Sequence, residues 1–182
     1  MLLLFLGMLF ACTANAQELM LGNPVQSEVS MTTFKLNGAL ITPRYSYDIT
    51  ARVLGKERYW FDEKASVIPY DLALGWGPMS LRDNIDKIDI SQSNRWYYWW
   101  VDTFFISRRT IEVNSANVHI VPANSSIKEV LSSLDTHDVV RLKGYLVDVS
   151  TPEWLIQSSN VRTDVGAGAC EVMYVQEIEV FN

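Results

Sequence analysis

Residues 126–149 read SIKEVLSSLDTHDVVRLKGYLVDV, and the change of period inside this stretch decides the fold. Ile127, Val130, Leu131 and Leu134 recur at i, i+3, i+4 and i+7, which gives a helix over residues 127–134 a single apolar stripe. Ser126 stands where an N-cap belongs, with Glu129 three residues on, the spacing of a reciprocal capping box. Past Asp135-Thr136-His137-Asp138 the period drops to two. Val140, Leu142, Gly144 and Leu146 then share one face of a strand over residues 139–149. Gly144 removes a side chain from that face, which suits a bend or a close backbone approach.

The same period of two runs outward in both directions. Tyr45, Tyr47, Ile49, Ala51 and Val53 alternate with Ser46, Asp48, Thr50 and Arg52, as a half-buried strand does, and Gly55 can end or bend it. Residues 87–91, 95–105 and 111–121 are extended in character. Residues 154–158 return onto 139–149 through Thr151-Pro152, and residues 170–181 close the chain as a last strand. Pro69, Gly75, Gly77 and Pro78 make residues 62–80 a loop or short helical turn, and residues 17–30 a polar, irregular lead-in. Short strands with one helix before a hairpin predict a mainly β (α+β) chain: a small antiparallel β-barrel, OB-like in its specific form. A β-sandwich is the alternative.

Residues 2–10 are almost wholly apolar, and Ala14-Asn15-Ala16 places small residues before Gln17, the pattern of a secretory signal peptide. No Lys or Arg precedes the run, although export signals usually begin basic. The run is shorter than the roughly 20 residues that span a bilayer. The expected organisation is a signal at residues 1–16 and one β-rich domain at residues 17–182, periplasmic or secreted, with no transmembrane segment after cleavage. Leu9-Phe10-Ala11-Cys12 offers the alternative of a lipoprotein anchored through Cys12.

Cleavage after Ala16 leaves Cys170 as the sole cysteine, so hydrophobic burial rather than a disulfide must hold the fold. The net charge of −6 argues against broad phosphate-backbone binding, so nucleic acid is not an expected partner.

Three places carry candidate chemistry. Trp96-Tyr97-Tyr98-Trp99-Trp100 as a strand sets Trp96, Tyr98 and Trp100 on one face and Tyr97 and Trp99 on the other. One face should fill the core, and the other, if uncovered, is a stacking surface for sugars, bases or protein. Trp76, between Gly75 and Gly77, is a second candidate ligand-binding aromatic. The leading expectation is a non-enzymatic binding or accessory domain that engages a protein, peptide or glycan through Trp76, Trp96, Tyr98 and Trp100.

The competing expectation is a cysteine-dependent hydrolase or transferase. Arg162, Asp164, Gly166, Gly168 and Cys170 alternate into the last strand, with His119 or His137 as base and Asn117 or Asp138 orienting it. The plainer reading makes Cys170 a small buried hydrophobe beside Val172, Tyr174, Ile178 and Val180, His119 a strand residue bonded to backbone, and His137 a cation at the helix end. Two histidines and one cysteine without close spacing predict no metal site, and no cofactor is expected. Asn124-Ser125-Ser126 matches a glycosylation sequon but reads as helix-capping chemistry.

Residues 47–54 (YDITARVL), 72–80 (LALGWGPMS), 91–98 (SQSNRWYY), 115–124 (SANVHIVPAN) and 166–171 (GAGACE) resemble a family of uncharacterised bacterial exported proteins. The resemblance covers most of residues 17–182. It implies a bacterial, envelope-side setting and carries no activity.

Overall fold

Strand β3 (Ala39–Arg58) is 20 residues long and organises the rest by pairing along both of its edges. The structure, a computed structural model, describes residues 18–161, 164, 166 and 169–181. The expected signal at residues 1–16, with Cys12, and Arg162 and Gly168 lie outside the described residues. Short strands β1 (Val25–Glu28) and β2 (Phe34–Leu36) lie antiparallel to β3, so the lead-in at residues 17–30 contains an edge strand that its polar composition hid.

On one side β3 pairs with β4 (Tyr70–Gly75), which pairs with β7 (Ser115–Pro122). On the other side it pairs with β8 (Val139–Ser150), which pairs with β10 (Glu171–Phe181). A parallel β7–β10 pairing closes the ring in the order β3-β4-β7-β10-β8. Helix α3 (Ser125–Ser133) links β7 to β8, so the chain has OB-like connectivity and the sandwich alternative falls. The ring is not evenly rounded. Its parallel pair, and two further short helices, α1 (Arg82–Ile85) and α2 (Arg108–Val113), depart from the antiparallel, one-helix expectation.

The ring encloses the main core. Tyr47, Ile49, Ala51 and Val53 meet Val140, Leu142 and Leu146 across it, as the two alternating patterns require, and Ile127, Leu131 and Leu134 of the α3 segment pack into it. The helix begins two residues earlier than expected. Asn124, not Ser126, is the cap, and its side-chain oxygen accepts from Ile127 N at 3.0 Å.

Strand β4 corrects the loop expected at residues 62–80. All six of its residues are buried, so it shows no alternation, and Pro69 and Pro78 bracket it rather than interrupt it. Trp76 is likewise corrected. It is 1 % exposed and belongs to the ring core. Gly77, at φ 50°, turns the backbone directly after it, so the flanking glycines serve a tight turn rather than a surface. The extended segment expected at residues 111–121 is split, because Ser107 accepts from Thr110 N at 2.9 Å and starts α2. At residues 154–158, only β9 (Leu155–Ile156) pairs with β8.

A register shift between Val175 and Glu177 changes the face of β10. Val172 and Tyr174 pack outside the ring, whereas Ile178 packs against the interior core. Cys170 therefore does not share a face with Ile178, contrary to simple alternation.

Gly144 permits the closest approach in the ring, since a Cβ there would lie 1.9 Å from the Tyr174 carbonyl oxygen. Gly144→Ala should force β8 from β10 and destabilise the fold by at least the about 1–3 kcal/mol typical of overpacking. Urea unfolding of the variant against the parent checks this, and an unchanged midpoint would show that the strands can part freely.

Candidate functional site

The outer face of β4 and β7 carries Asp71, Asn117 and His119, and a hairpin lies over it. Strands β5 (Asp89–Ser93) and β6 (Trp96–Trp100) pair antiparallel, with Asn94 and Arg95 as a two-residue turn. Their φ values of 52° and 65° match a type I′ turn, whose twist suits a tight hairpin. β5 lies against β3 and β6 against β7.

Alternation divides the aromatic run as expected. Tyr97 and Trp99 pack downward with Leu54, Ala73, Ile85, Val101 and Ile111. The Tyr97 hydroxyl is 3.2 Å from Ser115 Oγ, and burial pushes its phenol up to about 12. Trp96, Tyr98 and Trp100 face outward, at 44, 51 and 58 % exposure. Uncovered, these three are a surface rather than a second core face.

The hairpin tip is clamped. Arg95 donates to Asp62 at 2.8 and 3.0 Å and to the Ile68 carbonyl at 3.0 Å, lies 3.5 Å from Asp71, and sits 4.0 Å over the Tyr59 ring. Asp71 is fully buried. Its carboxylate also accepts from Tyr59 (3.1 Å) and Asn117 (3.1 Å) and pairs with His119 Nδ1 at 2.8 Å. The Tyr59 phenol is raised, first by burial and then by the Asp71 charge. Burial opposes ionisation of Asp62, but hydrogen bonds and charge from Arg95 outweigh it and hold that carboxyl below its ordinary value. Gln92 adds a 2.7 Å hydrogen bond to Asn117 Oδ1.

This network claims the residues expected to serve Cys170. His119 bonds to Asp71 rather than to backbone, and Asn117 joins Asp71 to Cys170, with whose thiol it shares a hydrogen bond. Burial, then the charges of Glu171 and Asp71, push the thiol up to about 11, the direction opposite to nucleophile activation. His137 and Asp138 lie elsewhere, in the α3–β8 turn, and bond through their backbones to Val53. The positive φ of 83° at His137 and the hydrogen bond from Arg52 to its carbonyl fix that turn, a backbone role that its place after the helix did not announce. Sequence reasoning missed Asp71, Tyr59 and Arg95. The available signal was a carboxylate inside the apolar run Tyr70-Asp71-Leu72-Ala73-Leu74.

Beside the hairpin lies a cleft of about 680 Å³. It is lined by β6, by Ser115 and Asn117 of β7, by Arg108 and Glu112 of α2, and by Asp164, Gly166, Ala169 and Cys170. Among the described residues, no group of three or more His, Cys, Asp or Glu side chains could hold a metal ion, and no helix is long and apolar enough to cross a membrane. Comparison with protein-family models, curated proteins and solved structures finds no match for the chain.

Two outcomes follow. Arg95→Ala leaves Asp71 buried without its cation and should destabilise the fold by about 3–5 kcal/mol, and adding Asp71→Asn should recover part of that loss in urea unfolding. For Cys170 the fold favours the neutral thiol, so its contribution is full below the ordinary value near 9 and is lost as pH rises through about 11. Alkylation should therefore reach half its maximal rate near pH 11 in native protein and near pH 9 in urea.

Proposed function

We propose that the chain is a non-enzymatic binding or accessory domain that engages a protein, peptide or glycan through the outward face of β6. The observation that carries this reading is the row of Trp96, Tyr98 and Trp100, each about half exposed on a hairpin whose tip is pinned by Arg95. Aromatic side chains give large contact area, and a pre-ordered platform loses little conformational freedom when it binds. The neighbouring cleft extends the surface that a ligand could cover. Export to a bacterial envelope completes the proposal. It rests on the signal pattern at residues 1–16 and on the family resemblance.

OB-like barrels commonly bind oligomeric ligands across their second and third strands. Here those strands are β4 and β7, and the hairpin covers the outer face that holds Asp71 and Asn117. The hairpin's own solvent face takes over as the accessible surface. The cysteine-hydrolase alternative draws no support from a thiol pushed up to about 11.

Replacing Trp96 and Trp100 together by Ala tests the proposal, because neither indole belongs to the buried core. On peptide and glycan arrays the variant should lose binding by about 2 kcal/mol or more, roughly thirtyfold, at an unchanged unfolding midpoint. Equal retention by parent and variant would remove the surface from consideration.

A further inference from the structure

The hairpin turn fixes which backbone groups of β6 look outward. A two-residue turn makes Ser93 and Trp96 a hydrogen-bonded pair, and alternation then makes Ser91–Tyr98 and Asp89–Trp100 the next such pairs. The N–H and C=O groups of Tyr97 and Trp99 consequently point away from β5. Among the described residues no strand pairs with that second edge. The edge opens into the cleft, because every consecutive residue of β6 lines it, not every other one.

An exposed aromatic edge is a template for strand addition, and folded proteins usually guard it with Lys, Pro or a covering segment. β6 contains neither Lys nor Pro. The cleft's charge also selects its occupant. Among the described residues, the charged side chains that line it are Glu112, Asp164, Glu171 and Arg108, with Arg109 3.8 Å from Glu112, and the chain as a whole carries −6. Arg108 is itself paired with Glu112 at 2.7 Å.

We infer that the cleft captures an extended segment of a partner protein, with alternating apolar and basic residues, which adds to β6 as a third strand of the hairpin sheet. This rests on the aromatic-surface reading and names its partner class. The incoming backbone bonds to Tyr97 and Trp99. Residues on its outer face pack beside Trp96, Tyr98 and Trp100, and those on its inner face carry Lys or Arg toward the carboxylates of the cleft. Main-chain bonds supply affinity whatever the sequence, and the alternation supplies selectivity.

The test uses the full chain with a short synthetic peptide of alternating valine and lysine, a matching valine–glutamate peptide, and a chitin oligosaccharide. Calorimetry gives affinity, and amide hydrogen exchange followed by NMR gives the site. The expected result is binding of the lysine peptide, with slowed exchange at the Tyr97 and Trp99 amides and affinity for the glutamate peptide lower by roughly tenfold or more. Binding without protection of those two amides overturns strand addition and leaves the aromatic surface standing. A silent lysine peptide, with an oligosaccharide that binds and is lost in Trp96→Ala, overturns this inference alone. If neither probe binds, both readings fail.

Discussion

Asp71 sets the constraint around which one side of this molecule is built. A carboxylate with no solvent exposure, in a strand whose every residue is buried, is stable only when partners replace the water it has lost. The chain gathers them from three places: Tyr59 after β3, Arg95 at the hairpin tip, and Asn117 and His119 from β7. Arg95 brings the hairpin with it. The polar cluster holds the tip of β5–β6 while Tyr97 and Trp99 bury the middle, and the two together leave the remaining aromatics facing outward. An apolar residue at position 71 would suit strand burial equally well but would leave Tyr59, Asn117 and His119 without the carboxylate they share.

The ring beneath follows more general rules. One strand of 20 residues pairs with β4 along part of its length and with β8 along another, and the parallel β7–β10 contact closes the circuit. Helix α3 packs against the interior through Ile127 and Leu131. Residues 76–114, from Trp76 to the start of β7, form an excursion from this ring, and that excursion carries the candidate site. Its apolar underside, with Met79, Ile85, Ile88 and Ile111, packs as a separate small core against Leu54 and Ala73. The scaffold and the site thus rest on different clusters, joined at β3 and β4.

Legibility in the sequence followed the contrast between faces. β3, β8 and α3 each have one wet and one dry face, so their period was plain, and with it the mainly β class and the place of the helix. β4 is dry on both faces and its ends are marked by Pro and Gly, so it read as a loop. Trp76 shared that fate, because a tryptophan between glycines looks the same whether it folds inward or out. The division of Trp96–Trp100 into two faces was readable, but its outward face was not, since both faces are aromatic. Arg95 and Asp71 are 24 residues apart, and nothing local announces their pairing. The irregularity in β10 between Val175 and Glu177 likewise altered which residues look inward, a shift that alternation alone cannot show.

The thiol and the aromatic edge illustrate one physical rule with opposite results. Cys170 lines the cleft, yet burial and the charges of Glu171 and Asp71 push its thiol up, so the neighbouring Asn117 does not make it a nucleophile. Burial, with Glu171 and Asp71, raises the thiol, and the pinned hairpin that buries Tyr97 and Trp99 turns their backbone groups outward. Asp164, Gly166 and Ala169–Glu171 line the same cleft as β6. For the inferred partner, a cleft beside the edge would favour a single extended strand over the edge of another folded sheet, which is one way an aromatic edge without Lys or Pro can escape self-pairing.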